Sequence, residues 1–270
     1  MYSRDNLCAD FRRLGVQAGD TVMLHASIRA VGRLIGGPDQ IHLALKEVLT
    51  GSGTLVMYAS CPEFYDEVGR GNLTADEERA VLAHLPAFDP YADRCQRDNG
   101  ALVELLRTSG GVLVNAHVAR FVVWGRLARH LIEPQPWSYA FGQGSLLERF
   151  AEVGGTILLL GSDHDAVTFL HYTEHVADIP DKRIARFKVP VLEDRVRVWR
   201  DMEEVDTSGK GAHPNWPDRF FAQVVDGFLE QTHNIGGRVG SAPSYLFSAR
   251  ALHQYALPVM HDVARAPIGY

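Results

Sequence analysis

The amino-acid sequence predicts an α/β fold, with a central mixed sheet, flanking helices and an added β-hairpin. The chain has 270 residues, of which 46% are hydrophobic and 22% are charged, as is typical of a globular protein. Apolar runs of strand length alternate with stretches of helical periodicity, and the first two runs enclose a predicted helix. This pattern is that of a βαβ unit, and we expect a single domain over residues 1–270.

The first elements make up that βαβ unit. Apolar spacing predicts a helix over residues 5–14, and the run TVMLH, which follows a Gly/Asp turn, predicts a buried strand. Pro38 and Asp39 are typical of the start of a helix. Gly51 and Gly53 are expected to end that helix before the strand TLVMY.

The middle of the chain contains a long irregular segment. Prolines, glycines and acidic residues are frequent from residue 60 to residue 98, which predicts an excursion around a site. Beyond it, NGALVELLRTSGG predicts a capped helix and VLVNAHVARFVVWG a strand region. GSLLERFAEVGGTILLLG then predicts a helix that leads into a buried strand.

The last third of the chain predicts a hairpin and further helices. After an Asp-rich turn, SDHDAVTFLHYTEHVAD predicts a helix. Apolar and polar residues alternate over 186–191 and over 196–202, on either side of an ED pair, which predicts a β-hairpin. FFAQVVDGFLEQ and SYLFSARALHQYAL each predict a helix.

Charge and composition exclude several classes of function. The formal net charge is −6 and no dense stripe of Lys and Arg occurs, so we expect no nucleic-acid partner. The apolar runs are too short to cross a bilayer, and the amino terminus lacks a signal-like core, which predicts a cytoplasmic protein without a membrane partner. Cys8, Cys61 and Cys95 lack C-x-x-C spacing, which predicts reduced thiols.

The pentapeptide HYTEH at residues 171–175 is the main candidate for chemistry. On a helix, His171 and His175 would lie on one face and could bind zinc, with Glu174 as the base of a hydrolase. Alternatively, one histidine oriented by a carboxylate removes a proton from a nucleophile. We favour proton transfer, because residues 179–200, where a third ligand is expected, are strand-like and basic.

Two acidic clusters predict an amine-rich ligand. Four acids occur in the stretch DMEEVD, and three more occur in CPEFYDEVG. Asp98 and Asn99 extend the second cluster, or Asn99 caps its helix. The residues expected to bind substrate are Glu63, Asp66, Asp98, Glu204 and Asp206.

The segment HASIRAVGRLIGGPDQ predicts an anion site. Backbone amides at the start of a helix, together with Ser27, Arg29 and Arg33, suit a phosphate or pyrophosphate. The chain lacks G-x-x-x-x-G-K-[ST] and a well-placed G-x-G-x-x-G, so neither a nucleoside triphosphatase nor a dinucleotide fold is indicated.

Segments along nearly the whole chain carry a family resemblance. They are LHASIRAVG followed by GG and a helix, GSGTLVMY, AFDPYADRCQRDNGALVELLRTSGG, FGQGSLLERFAEVGGTILLLG, and TFLHYTEHVADIPDKRIAR with WRDMEEVDT. Together they resemble the aminoglycoside 3-N-acetyltransferase family, the antibiotic N-acetyltransferases. The resemblance implies a layered α/β fold distinct from the GNAT fold. It also implies acetyl transfer from acetyl-coenzyme A to the 3-amino group of an aminoglycoside, and hence antibiotic resistance.

The resemblance also implies residue roles. His171 corresponds to the general base, Thr168 lies one turn before it, and Glu204 and Asp206 match the family's acidic segment. Either Glu204 or Glu174 would orient His171. The loop that matches the coenzyme-binding turn comprises Ser27, Ile28, Arg29, Ala30, Val31 and Gly32.

These roles imply direct transfer in a ternary complex of coenzyme A and drug, with no metal expected. Thr168 or a backbone amide would stabilise the oxyanion. A covalent route through Cys61 is disfavoured, because the neighbouring residues are acidic and a nucleophilic thiolate needs an electropositive setting. The zinc hydrolase built on HYTEH and a non-catalytic binder of polycationic drugs stay open as alternatives, as does the choice between monomer and homodimer.

Overall fold

The computed structural model describes residues 1–207 and 211–266 and has a mixed β-sheet at its centre. Seven strands form this sheet in the order β3-β4-β2-β1-β5-β9-β8, and β6 and β7 form a separate hairpin. The strands are β1 (Thr21–Ala26), β2 (Thr54–Tyr58), β3 (Val112–Val114), β4 (Phe121–Gly125), β5 (Thr156–Leu160), β6 (Ile184–Glu193), β7 (Val196–Val205), β8 (Gly237–Val239) and β9 (Ala242–Ser248).

The three central strands are parallel, and the outer ones are antiparallel. β1 pairs with β2 on one side and with β5 on the other in parallel register, while β4 and β9 add antiparallel strands. The predicted βαβ unit is therefore confirmed. Because the carboxyl ends of parallel strands meet at one edge of a sheet, the segments that follow β1, β2 and β5 converge there.

Helices cover both faces of this sheet. The helices of the described residues are α1 (Arg4–Leu14), α2 (Ile28–Val31), α3 (Asp39–Leu49), α4 (Ala75–His84), α5 (Ala101–Arg107), α6 (Ala128–Leu131), α7 (Leu146–Glu152), α8 (Leu170–Val176), α9 (Phe220–Gln231) and α10 (Ala249–Arg265), of which α4 lies in the irregular excursion and not on the sheet. Within the described ranges, no helix combines the length and the apolar character needed to cross a membrane.

Alternating strand residues supply a core on each side of the sheet. Val22 and Leu24 of β1 lie in a cluster with α1, α3 and α5. Met23 of the same strand lies in the opposite cluster, with α7, α8, α9 and α10. Because β1 is buried on both faces, it reads as the continuous apolar run TVML. The predicted layered α/β fold is confirmed.

The hairpin of β6 and β7 packs on the irregular excursion and forms a third apolar cluster. Phe187 and Val189 of β6 lie against Tyr65 and Phe88 of the excursion. Backbone hydrogen bonds join the two segments, from Lys188 N–H to Val68 C=O (2.8 Å) and from Phe88 N–H to Pro190 C=O (2.8 Å). The hairpin is confirmed, and both of its strands are longer than the alternation predicted.

A buried cation fastens the excursion to the sheet. Arg120, just before β4, is 0% exposed, and within residues 1–207 and 211–266 its guanidinium donates only to backbone carbonyls. The acceptors are the carbonyl oxygens of Ser60 (3.0 Å), Pro90 (2.8 Å), Asp93 (2.8 Å) and Arg94 (2.6 Å). One side chain therefore holds both ends of the excursion.

Two helix predictions differ from the structure. SYLFS is part of strand β9, paired with β5, and the helix starts only at Ala249. Tyr245 and Phe247 lie in the cluster on one side of the sheet, and Leu246 lies in the cluster on the other side. Asn99 does not cap the helix after it, since Gly100 is the N-cap and Asn99 lies in a short 3₁₀ turn.

The structure also adds detail to two other predictions, those for the irregular segment and for the strand region. The excursion contains the unpredicted helix α4, which has no buried residue and therefore no apolar periodicity, and whose start is stabilised by a capping box of Thr74 and Glu77. The predicted strand region VLVNAHVARFVVWG divides into the antiparallel strands β3 and β4.

Replacing Arg120 tests whether the excursion depends on this cation. Arg120→Met would keep the apolar volume and leave four carbonyls without their donor, which should cost on the order of 4 kcal/mol of stability. We expect the melting temperature to fall by roughly 10 °C in calorimetry. Arg126→Met is the matched control, because Arg126 is exposed and donates to the single carbonyl of Ser52. Equal melting temperatures for the two variants would contradict this role.

Candidate active site

Helix α8 presents the HYTEH residues at the carboxyl edge of the sheet. The chain leaves β5, makes a turn in which the Asp163 carboxylate accepts from Asp165 N–H (2.9 Å), and enters α8 at Leu170. The His171 ring lies between two aromatic rings, with centroid distances of 5.3 Å to Phe141 and 5.0 Å to Phe221. Packing from two sides therefore fixes its orientation.

His171 forms a dyad with Glu174. Its Nδ1 lies 2.7 Å from Glu174 Oε2, and Glu174 is 0% exposed. The other oxygen of Glu174, Oε1, accepts from Ala212 N–H (2.9 Å). A carboxylate accepts hydrogen bonds, so the proton of the neutral imidazole lies on Nδ1 and Nε2 is the basic nitrogen. The His171 side chain is 25% exposed, so this nitrogen is on an accessible ring.

His175 has a different set of partners. Its Nδ1 donates to the backbone carbonyl of His171 (2.6 Å), and its Nε2 forms a short hydrogen bond with Glu204. Of the two carboxylates considered as partners of His171, Glu174 contacts it, whereas Glu204 contacts His175. The structure thus separates the two acids that the sequence left as alternatives.

This geometry does not support the zinc-hydrolase interpretation. Both ring nitrogens of His175 already form hydrogen bonds inside the protein, so His171 and His175 do not present two lone pairs to one ion. Within residues 1–207 and 211–266, no cluster of three His, Cys, Asp or Glu side chains has the geometry to hold a metal ion.

The acids of DMEEVD serve mainly internal contacts. Glu204 is 6% exposed, and besides His175 it accepts from Ala140 N–H (2.8 Å) and from Val205 N–H (3.2 Å). Asp206 forms an ion pair with Arg183. Both acids were predicted to bind substrate, and the structure places them in these protein contacts.

The acids of the excursion occupy different surroundings. Glu63 is exposed, whereas Asp66 lies 3.5 Å from the Arg70 guanidinium and accepts from the thiol of Cys61 (3.7 Å). Burial raises the pKa of Asp66. Burial also raises the pKa of Tyr58, and the charges of Asp66 and Glu204 add to that increase.

A large cavity opens where β1, β2 and β5 end. Its volume is about 680 Å³, and Ser27, Ile28 and Arg29 line one side of it. Asp98 lies in this cavity too, so the structure groups it with the predicted coenzyme residues and not with Asp66. Thr168 lines the cavity and is 7% exposed.

The other three residues of the predicted coenzyme loop support the turn. Ala30 packs so closely on Gly161 that a Cβ on that glycine would lie 2.4 Å from the Cβ of Ala30. Val31 is buried, and its carbonyl accepts from Ser241 N–H (3.0 Å). Gly32 has φ +95°, a conformation that favours glycine. Ala30, Val31 and Gly32 thus shape the loop whose first residues line the cavity.

A smaller cavity lies on the other side of the start of α8. Its volume is about 210 Å³, and His171 and Glu174 line it together with Trp216 and Phe221. Thr168, just before α8, lines the larger cavity, and His171, in the first turn of α8, lines the smaller one. Both cavities therefore adjoin the start of α8.

The sequence interpretation missed several residues of these cavities. His25, Ser162 and Asp163 line the larger cavity, and Phe141 and Phe221 pack on His171. A usable signal existed for His25, since it is a polar residue directly after the apolar run TVML at the end of a buried strand. Phe141 and Phe221 are ordinary apolar residues in the sequence and gave no such signal.

Cys61 is in a poor setting for a nucleophile. It is 3% exposed, and burial together with the charge of Asp66 raises the pKa of its thiol well above the usual range. A thiol that stays protonated does not attack a thioester efficiently.

Comparisons with known proteins agree with the fold and identify the family. Residues 23–261 match the family model described as aminoglycoside 3-N-acetyltransferase. Aminoglycoside N(3)-acetyltransferase III of Pseudomonas aeruginosa is 36% identical over 261 residues, which cover 95% of this chain and 92% of that protein.

Two solved structures are similar over almost their whole lengths. AAC-IIIb in a binary complex with CoASH has a TM-score of 0.90 and 35% identity, with 99% of each chain covered. AAC-VIa bound to sisomicin has a TM-score of 0.89 and 32% identity, covering 98% of this chain and 99% of that one. The resemblance predicted from the sequence is confirmed. The chain therefore belongs to the aminoglycoside 3-N-acetyltransferase family of acyltransferase enzymes.

Proposed function

We propose that this enzyme transfers acetyl from acetyl-coenzyme A directly to the 3-amino group of an aminoglycoside, with His171 as general base. The observation that carries the proposal is the dyad in which Glu174 accepts from Nδ1 of His171 and leaves Nε2 as the basic nitrogen. Family membership supplies the reaction class. The dyad supplies the group that this reaction needs at neutral pH.

The chemistry begins with removal of a proton from the drug. The attacking amine of the aminoglycoside loses a proton to Nε2 of His171 as its nitrogen bonds to the thioester carbonyl carbon. The carbon–sulfur bond then breaks, the imidazolium of His171 returns the proton to the leaving sulfur to give the thiol, and the acetyl group stays on nitrogen. Glu174 is buried and accepts from Nδ1, so it stabilises the imidazolium that forms in between.

The larger cavity is proposed to hold the coenzyme. Arg29 lines it and is exposed, which suits the phosphate groups at the outer end of the coenzyme. Thr168 lines it at the inner end, one turn before His171, and its hydroxyl is proposed as a donor to the oxyanion. The structure of AAC-IIIb with CoASH supports coenzyme binding by this fold.

The acidic residues are proposed to bind the amino groups of the drug. Glu63 is exposed, and the charges of Asp66 and Glu204 both raise the pKa of Tyr58. A polycationic aminoglycoside is attracted to such a region, and the net charge of −6 favours its approach. The structure of AAC-VIa with sisomicin supports an aminoglycoside as the acceptor.

We also propose that residues 1–270 act as one domain. The support is that β7 of the hairpin carries Glu204, which hydrogen-bonds to His175 on α8 of the main body. A hairpin that moved independently would break this buried contact.

The test of the function is release of coenzyme A thiol from acetyl-coenzyme A, with sisomicin and gentamicin as separate acceptors, each with and without EDTA. We expect release with at least one drug and the same rate in EDTA. No release with either drug would count against the proposed function, and release abolished by EDTA would count against the metal-free mechanism.

Replacing the proposed base should lower kcat and leave the affinity for coenzyme A unchanged. His171→Ala is expected to lower kcat on the order of 10²–10⁴-fold, because general-base catalysis contributes that much. Coenzyme A binding, followed by calorimetry, should be unchanged, because His171 does not line the larger cavity. His130→Ala is the control, since His130 is an exposed histidine that forms a hydrogen bond with Glu133. Full turnover by His171→Ala would show that another group is the base.

Glu174→Gln should be almost as damaging, for a geometric reason. Ala212 N–H donates to Oε1 and should keep the amide oxygen of the glutamine at that position. The NH₂ group would then face Nδ1 of His171 and donate to it, which moves the imidazole proton to Nε2 and blocks the base. We expect kcat to fall by at least roughly 100-fold, as for a triad with the wrong tautomer. Steady-state kinetics at pH 7 measures this, and an unchanged kcat would be inconsistent with the dyad.

A further inference from the structure

The larger cavity contains buried polar atoms that the fold does not use. His25 lies at the carboxyl end of β1, lines the cavity and is 9% exposed. Its Nε2 is buried and has no hydrogen-bond partner among residues 1–207 and 211–266. Asn99 lines the same cavity, and its Nδ2 is also buried without a partner in those ranges. Buried polar atoms are nearly always paired, so two unpaired ones in one cavity indicate a ligand that pairs with them.

The two side chains suit an uncharged polar ligand group. Burial lowers the pKa of His25 to about 4, so its imidazole is neutral at physiological pH and offers one donor and one acceptor. Asn99 Nδ2 is a neutral donor. Neither group is a cation that would bind a phosphate. The cation of this cavity is the exposed Arg29.

We propose that His25 and Asn99 bind the amide groups of the pantetheine arm of the coenzyme. This inference rests on the proposed function, and it assigns a role to two side chains that the reaction itself does not require. Each amide of the arm carries a carbonyl acceptor and an N–H donor, which complement a neutral imidazole and an Asn NH₂ group. Arg29 then binds the phosphates, at the other end of the same ligand.

The exposure of the residues that line the cavity supports the proposed position of each part of the coenzyme. His25 and Thr168 are both buried, and Thr168 lies one turn before the proposed base His171. Arg29 is exposed. A coenzyme with its thioester near Thr168 and its phosphates near Arg29 must pass its amide-bearing arm through the part of the cavity between them.

An acetyl donor without the phosphates distinguishes contacts with the pantetheine arm from contacts with the phosphates. His25→Phe and Asn99→Leu remove the polar atoms, and each should lower kcat/KM by about tenfold with acetyl-coenzyme A and equally with acetyl-pantetheine, which lacks the phosphates. Arg29→Ala should lower it only with acetyl-coenzyme A. His25→Gln keeps a donor and an acceptor and should recover most of the loss. The KM for the aminoglycoside should stay unchanged in all four variants.

His42→Phe is the matched control for the loss of a buried histidine. His42 lies on α3, is 1% exposed, does not line the cavity, and its Nδ1 is also without a partner within the described part of the chain. Its kinetic constants should equal those of the unmodified enzyme. The proposal is overturned if His25→Phe and Asn99→Leu match this control with both acetyl donors, or if they raise the KM for the aminoglycoside instead.

A binding measurement separates failure of this proposal from failure of the proposed function. Calorimetric titration of coenzyme A and of pantetheine into the unmodified enzyme and into His25→Phe needs no acceptor. If the unmodified enzyme binds coenzyme A but acetylates no drug, the proposed function is wrong, and an affinity about tenfold weaker in His25→Phe still supports this inference. Equal affinity in the two proteins, or no binding by either, overturns it.

Discussion

The buried guanidinium of Arg120 is the interaction on which the arrangement around the site depends. It has no carboxylate among its four acceptors, which are all backbone carbonyls of the excursion. A buried cation is tolerated only when its donors are satisfied, so the excursion must close around it. The closed excursion then gives the hairpin an apolar surface through Tyr65 and Phe88, and the hairpin in turn places Glu204 against His175. A contact far from the proposed base thereby helps to position the helix that carries it.

Two histidines four residues apart have different roles because their hydrogen-bond partners differ. The carboxylate at Nδ1 of His171 comes from the same helix, and Nε2 of that ring has no hydrogen-bond partner among residues 1–207 and 211–266. His175 has a carbonyl at Nδ1 and the carboxylate of Glu204 at Nε2, so its ring links α8 to β7. One histidine is thus the proposed base and the other a structural link, and the difference is whether Nε2 forms a hydrogen bond with a protein group.

The sequence was sufficient where local pattern determines structure. The βαβ unit, the hairpin and helix Phe220–Gln231 follow from apolar spacing and turn residues. Helix α4 did not, because it buries no side chain and leaves no periodicity. The residues of SYLFS are compatible with a helix or with a strand, and only the pairing with β5 makes this segment a strand. Such pairing is a tertiary contact that local propensity does not encode.

The site shows the same division between local and long-range information. The spacing of HYTEH indicated His171, but the choice between Glu174 and Glu204 depended on contacts with residues far along the chain. Glu174 is held by the backbone of Ala212, and Glu204 by that of Ala140. Neither contact leaves a mark in the local sequence. From the sequence, Glu174 and Glu204 were therefore equally suitable partners for His171. Only the fold shows that Glu174 contacts His171 and that Glu204 contacts His175.

The proposal of direct transfer rests on the two cavities at the start of α8. Thr168 lines one cavity and His171, three residues later, lines the other, so under the proposed function the thioester and the amine would meet at this turn. Bringing both reactants together there removes a large part of the entropic barrier without an enzyme nucleophile. Cys61, by contrast, is buried beside Asp66, where its thiol is held protonated. Under the proposed function, the exposed Arg29 would attract the anionic coenzyme to the larger cavity, and the acids of the excursion would attract the cationic drug.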